Sequence, residues 1–65
     1  MTSLEFRDLH EKQMAGRSHE DCWRRIARSY EAEAASAKDL GARMLARQYA
    51  IWATDEMHMA MRAGR

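Results

Sequence analysis

The side chains with the clearest metal-binding chemistry are grouped late in the sequence, in Met57-His58-Met59 and Met61. Thioether and imidazole groups are ligands that Cu(I) favours. On a helix, however, Met57 and Met59 would point about 200° apart, because successive residues turn by about 100°. The four groups do not converge on one ion, so we interpret the methionines as packing residues beside a solvated histidine. We expect no metal and no cofactor.

A second spacing, Asp55-x-x-His58, places a carboxylate and an imidazole on one face of a helix. This pattern resembles the Glu-x-x-His pair of ferritin-like di-iron bundles, in which glutamates from neighbouring helices complete the site. The resemblance implies a di-metal site formed when two hairpins dimerise, as in encapsulated ferritins, with Glu31 or Glu33 as further ligands. The sequence departs from the family because the motif begins with an aspartate and Glu56 is one position out of phase. A di-metal bundle is therefore an alternative interpretation.

Catalytic arrangements are not evident in the sequence. The pairs His10-Glu11 and His19-Glu20 do not have the HExxH spacing of a zinc protease. Cys22 lies three residues after His19, but no third group is placed to orient a nucleophile and its base. Cys22 is better interpreted as a small buried apolar residue. We expect that the protein is not an enzyme.

Size and charge narrow the function further. The 65 residues form one domain at most, which we place at 1–65. Eleven basic and ten acidic residues leave a formal net charge of +1, which argues against bulk attraction to nucleic acid or anionic lipid. The longest apolar run, residues 49–53, is far shorter than the ~20 residues of a membrane-spanning helix, and we expect no signal peptide. Together with a single cysteine, these features predict a cytoplasmic protein.

The composition predicts an all-α fold. The chain has no proline and only three glycines, and alanine, glutamate, arginine and methionine are strong helix formers. The predicted architecture is a short N-terminal helix followed by a long antiparallel helical hairpin, which pairs into a helical bundle. The three helices are expected at about 3–15, 18–38 and 42–62.

Capping residues set the predicted helix boundaries. Thr2 and Glu5 have capping-box spacing at the start of the first helix, and Gly16 is expected to form its C-terminal cap. Ser18 is expected to begin the second helix. Residues 38–41 are the expected hairpin turn. A single continuous rod through Gly41 is the alternative, because an interior glycine costs only about 1 kcal/mol relative to alanine.

The third predicted helix is apolar around most of its circumference, because its large apolar residues do not fall on one stripe and alanines fill the gaps. Such a helix is normally surrounded by protein. We therefore predict a partner protein, either a second copy or a larger protein. The expected partner-binding residues are Leu45, Tyr49, Trp52, Met57 and Met59. An inhibitor, an adaptor or an accessory subunit fits this description.

A group of arginines supports one more alternative. Arg24, Arg25 and Arg28, with Arg17 just upstream, could contact phosphates from one helical face. Acidic neighbours on the same helix could neutralise them. Nucleic-acid binding by a helical hairpin is therefore a second alternative to protein binding.

Overall fold

The computed structural model describes residues 1–64, and in that range it has three α-helices and no strand. Helix α1 spans Ser3–Glu11, α2 spans His19–Ser36 and α3 spans Leu40–Ala63. Helices α2 and α3 pack against each other as a helical hairpin, and α1 packs on that hairpin. The predicted all-α fold, with a short first helix before a long hairpin, is confirmed.

Helix α1 begins as predicted but ends earlier than predicted. The Thr2 hydroxyl accepts a hydrogen bond from the Glu5 backbone N–H at 3.2 Å. The helix ends at Glu11, so Gly16 is not its C-terminal cap. The backbone N–H of Met14 donates to the Glu11 carbonyl at 3.0 Å, and the Met14 side chain is only 2% exposed. The early end lets the connection fold back and bury Met14.

The hairpin turn lies slightly earlier than the predicted 38–41. Helix α2 ends at Ser36 and α3 begins at Leu40, so the turn comprises residues 37–39. Gly41 lies in the first turn of α3, so its assignment to the break was wrong. The chain reverses direction here, and the alternative of one continuous rod is also wrong.

Polar groups on both sides of this turn are paired. The Asp39 carboxylate accepts a hydrogen bond from the Ala42 backbone N–H at 2.9 Å, which caps the N-terminus of α3. The Arg43 guanidinium donates to the Ala37 carbonyl at 2.8 and 3.2 Å. These bonds satisfy backbone groups that a helix end would otherwise leave unpaired. The turn is therefore stabilised by local side chains as well as by packing.

Alanines dominate the contact between the two long helices. Of the eight buried apolar residues, five are alanines. They are Ala27 and Ala34 of α2 with Ala46, Ala50 and Ala53 of α3. Because interaxial distance depends on the side chains at the contact, small residues allow the two helices to approach closely.

An aromatic cluster joins all three helices. It comprises two residues from each: Phe6 and His10, Trp23 and Tyr30, and Tyr49 and Trp52. Phe6 is at the centre, with ring centroids 4.7 to 5.9 Å from the other five. These spacings lie within the range of favourable aromatic pairs. Helix α1 is therefore held on the hairpin mainly by one buried phenyl ring.

Candidate interaction surface

Helix α3 carries most of the large apolar side chains that the fold leaves exposed. Eight such side chains occur among residues 1–64, and five of them belong to α3. The five are Leu40 (67% exposed), Met44 (64%), Leu45 (52%), Ile51 (50%) and Met59 (42%). Large exposed apolar groups concentrated on one element mark a candidate interaction surface.

The five predicted partner-binding residues fall into two groups. Leu45 and Met59 are exposed. Tyr49, Trp52 and Met57 are half-buried and pack against the core of the same chain. The ring of Tyr49 stacks on Phe6 at 5.2 Å, and Trp52 lies 5.6 Å from the same ring. Helix α1 thus contributes to covering one side of α3.

Three exposed residues of α3, Leu40, Met44 and Ile51, were not among the predicted partner-binding residues. They lie roughly opposite the buried Ala46 and Ala53 on the helix, which turns by about 100° per residue. The signal that could have identified them was therefore the alanine stripe. Alanine is small enough to let two helices meet, so the alanine-rich side is the buried side.

We define the outer face of α3 as eight exposed residues of this helix, of which Arg47 and Ile51 also border a shallow depression beside Glu31 of α2. They are Leu40, Met44, Arg47, Gln48, Ile51, Asp55, His58 and Met59. Ile51 is at the middle of this face, with Arg47 four residues before it and Asp55 four residues after it. Within residues 1–64 the only ion pairs are those of Arg24, so Arg47 and Asp55 each lack an intrachain ion pair.

The arginines of the nucleic-acid alternative do not form one free basic surface. Arg24 donates to the Glu20 carboxylate at 2.7 Å and to the Asp21 carboxylate at 2.9 Å. Arg17 and Arg25 line one shallow depression together with Asp21. Arg28 is exposed on α2. Carboxylates therefore neutralise part of the basic group.

The acidic and histidine side chains do not converge. Among residues 1–64, no group of three or more His, Cys, Asp or Glu side chains could hold a metal ion. Asp55 and His58 are exposed on α3, and Glu31 and Glu33 are exposed on α2. Any di-metal site would therefore need ligands from a second chain.

Within the aromatic cluster, the titratable side chains of His10 and Tyr30 lie side by side. His10 Nε2 lies 3.1 Å from the Tyr30 hydroxyl oxygen. Burial lowers the pKa of His10 below its ordinary value. Burial raises the pKa of Tyr30, and nearby Glu33 and Tyr49 raise it further. Both shifts favour the uncharged forms, as expected for side chains that pack against rings.

Glu56 is half-buried on α3, on the side that faces α1. Burial raises the pKa of the Glu56 carboxyl above its ordinary value, and the nearby Glu11 and Asp55 raise it further. The Arg7 guanidinium acts in the opposite direction. Glu56 therefore lies close to side chains of α1, which agrees with the packing of α1 on α3.

Comparisons with known proteins add no relative. Neither a family model, a curated protein nor a solved structure matches this chain. Among the described residues, no helix has both the length and the apolar character needed to cross a membrane.

Proposed function

We propose that this chain is a non-catalytic protein that acts by binding another protein chain through the outer face of α3. The observation that supports this most is the exposure of Leu40, Met44 and Ile51 along that face. Fully burying an apolar side chain of this size contributes about 1.5–3 kcal/mol. A complex in which a partner covers several of these half-exposed side chains would therefore be stabilised. An inhibitor, an adaptor or an accessory subunit would use a surface of this kind.

The inner packing of the chain supports the same assignment. The aromatic cluster fills the space between α1 and the hairpin, so Tyr49, Trp52 and Met57 already have intrachain partners. The exposed side chains of the outer face have none of this cover, although they belong to the same helix. The half-exposed Trp52 lies at the edge of that face. Tryptophan is enriched in protein interfaces relative to the rest of the protein surface.

Nucleic-acid binding has less support, because Arg24 is already paired with Glu20 and Asp21. A di-metal carboxylate bundle also has less support, because Asp55 and His58 have no third ligand within residues 1–64. Both alternatives are tested by direct measurements. A salt-sensitive gel shift lost on charge reversal at Arg24 and Arg28 would favour the first, and co-purified iron or manganese would favour the second.

The proposed function is tested by site-specific photo-crosslinking in living cells. A benzoylphenylalanine placed at Gln48, an exposed position of the outer face, reports any protein that docks there. The matched control carries the same group at Ala32, which is exposed on α2. We expect a discrete adduct from Gln48 that is absent from Ala32 and lost when Ile51→Asp is added. Equal labelling from the two positions would refute the proposal, provided that circular dichroism shows both proteins to be helical.

A further inference from the structure

On the outer face, the positive Arg47 and the negative Asp55 lie at equal distances on either side of Ile51. A second copy of the same face can match these two opposite charges. Resting on the proposed function, we infer that the partner is a second copy of this chain, whose α3 packs antiparallel on the first with Ile51 at the two-fold axis. Ile51 is eleven residues after Leu40 and twelve before Ala63, so it lies at the middle of α3. Pairing about this residue lets the two helices overlap along their whole length.

Electrostatics selects the antiparallel orientation. In an antiparallel pair centred on Ile51, Arg47 of each copy lies level with Asp55 of the other, so two ion pairs form about 6 Å on either side of the axis. A parallel pair would instead place Arg47 beside Arg47 and Asp55 beside Asp55, which is repulsive. Both side chains are exposed and lack intrachain ion pairs in residues 1–64, and Arg47 lies along a depression that Glu31 of α2 also lines without pairing with it.

The apolar residues of the face fit the same arrangement. Ile51 packs against Ile51 of the second copy on the axis, and Met44 lies level with His58 of that copy. Leu40 lies level with Arg62, whose aliphatic stem can cover an apolar side chain while its charge stays in water. The two Trp52 side chains lie on one flank of the axis, since the helix turn places them on the same side. Ile51 therefore gains an apolar neighbour, and Met44 and Leu40 are covered by His58 and by the stem of Arg62.

The size of the face sets the expected strength. A helix of 24 residues is about 36 Å long and, with its side chains, about 10–12 Å wide. A specific interface at the low end of the usual range takes about 600 Å² from each partner, about one eighth of the 4846 Å² that this chain exposes. The flat area of one helix face of these dimensions is about 360–430 Å², below this lower size, so the dimer is expected to dissociate on dilution.

The first test is sedimentation equilibrium on the full chain from about 1 µM to about 1 mM. We expect the mass to rise from one chain of 7.6 kDa towards two. Ile51→Asp should remain one chain throughout. Leu4→Asp, the same change at an exposed leucine of α1, should behave as the unmodified protein. A mass of one chain at every concentration would overturn the inference.

Charge exchange tests the orientation. Arg47→Asp and Asp55→Arg should each weaken self-association at least about tenfold, because each replaces two attractive pairs by two repulsive ones. The two variants mixed in equal amounts should form a heterodimer as strong as the original dimer, and the double variant should also recover. Unchanged association of the single variants, or no recovery on mixing, would rule out the antiparallel pair.

The two proposals fail in different ways. A monomeric chain that still gives an Ile51-dependent adduct at Gln48 with a larger protein would overturn self-association and leave protein binding by α3 in place. A monomeric chain that gives no such adduct would overturn both. A dimer whose adduct at Gln48 has the mass of two chains supports both.

Discussion

Removal of the Phe6 side chain should strongly destabilise this fold. The side chain is 1% exposed, and its ring contacts rings from both helices of the hairpin. Replacing a buried phenylalanine with alanine costs about 3–5 kcal/mol, because apolar contacts are lost and a cavity remains. A domain of this length has about 3–10 kcal/mol of total stability at the usual value per residue. Phe6→Ala should therefore remove a third or more of the free energy of unfolding.

The mechanism of this loss is the release of α1. The helix has nine residues, and isolated helices shorter than about 12–15 residues are marginal in water. Without the Phe6 ring, α1 should leave the hairpin and lose its helical structure. Trp23 and Trp52 should then become more exposed to water, since the Phe6 ring lies 5.9 and 5.6 Å from theirs.

Urea unfolding followed by circular dichroism and tryptophan fluorescence measures both effects. With a slope of about 1 kcal/mol per molar urea, a loss of 3 kcal/mol moves the midpoint by about 3 M. The control, Leu9→Ala, changes a half-exposed leucine of the same helix and should cost less than about 1 kcal/mol. All variants should carry Ile51→Asp, so that self-association does not add to the apparent stability.

A small effect of Phe6→Ala would refute this account of how α1 is attached. A loss below about 1 kcal/mol, with no red shift of the fluorescence, would mean that the aromatic cluster does not hold the helix. If Phe6→Ala does not fold, Phe6→Leu gives a second measurement. It keeps an apolar side chain but loses the ring contacts, and should cost about 1.5 kcal/mol.

Two further predictions concern pH and the loop. Burial lowers the pKa of His10, so the unfolded chain binds more protons than the folded one, and stability should fall as pH decreases through about 6.5. His10→Gln should flatten this dependence between about pH 5.5 and 7, and an unchanged dependence in this variant would contradict the assignment to His10. The raised pKa of Glu56 acts in the opposite sense at lower pH, where its protonated form favours the folded state. Gly16→Ala should cost about 1–2 kcal/mol because its φ of 76° is unfavourable for residues with a Cβ, although an added Cβ would meet no atom within 4 Å; Gly16→Asn, which tolerates this conformation better, should cost less, and an equal cost for both would contradict the backbone explanation.

Local signals predicted the number and order of the helices. Thr2 and Ser18 accept hydrogen bonds at the starts of α1 and α2, as their positions in the sequence predicted. The hairpin was also predictable, because two long helix-forming segments meet at a short break. The exact helix ends were less predictable. Met14 leaves the helical path to reach the core, and the Asp39 cap starts α3 before Gly41.

The tertiary structure decided which sides of α3 are buried against α1 and α2 and which side stays exposed. The sequence by itself determined that α3 is apolar over most of its circumference, because that property belongs to one helix and its periodicity. It could not determine which part is covered, because Phe6, at a distance along the chain, inserts beside Tyr49 and Trp52 and covers them. The alanine stripe brings α2 against a second part of the helix. What remains exposed, around Ile51, is therefore a consequence of contacts between residues far apart in the sequence.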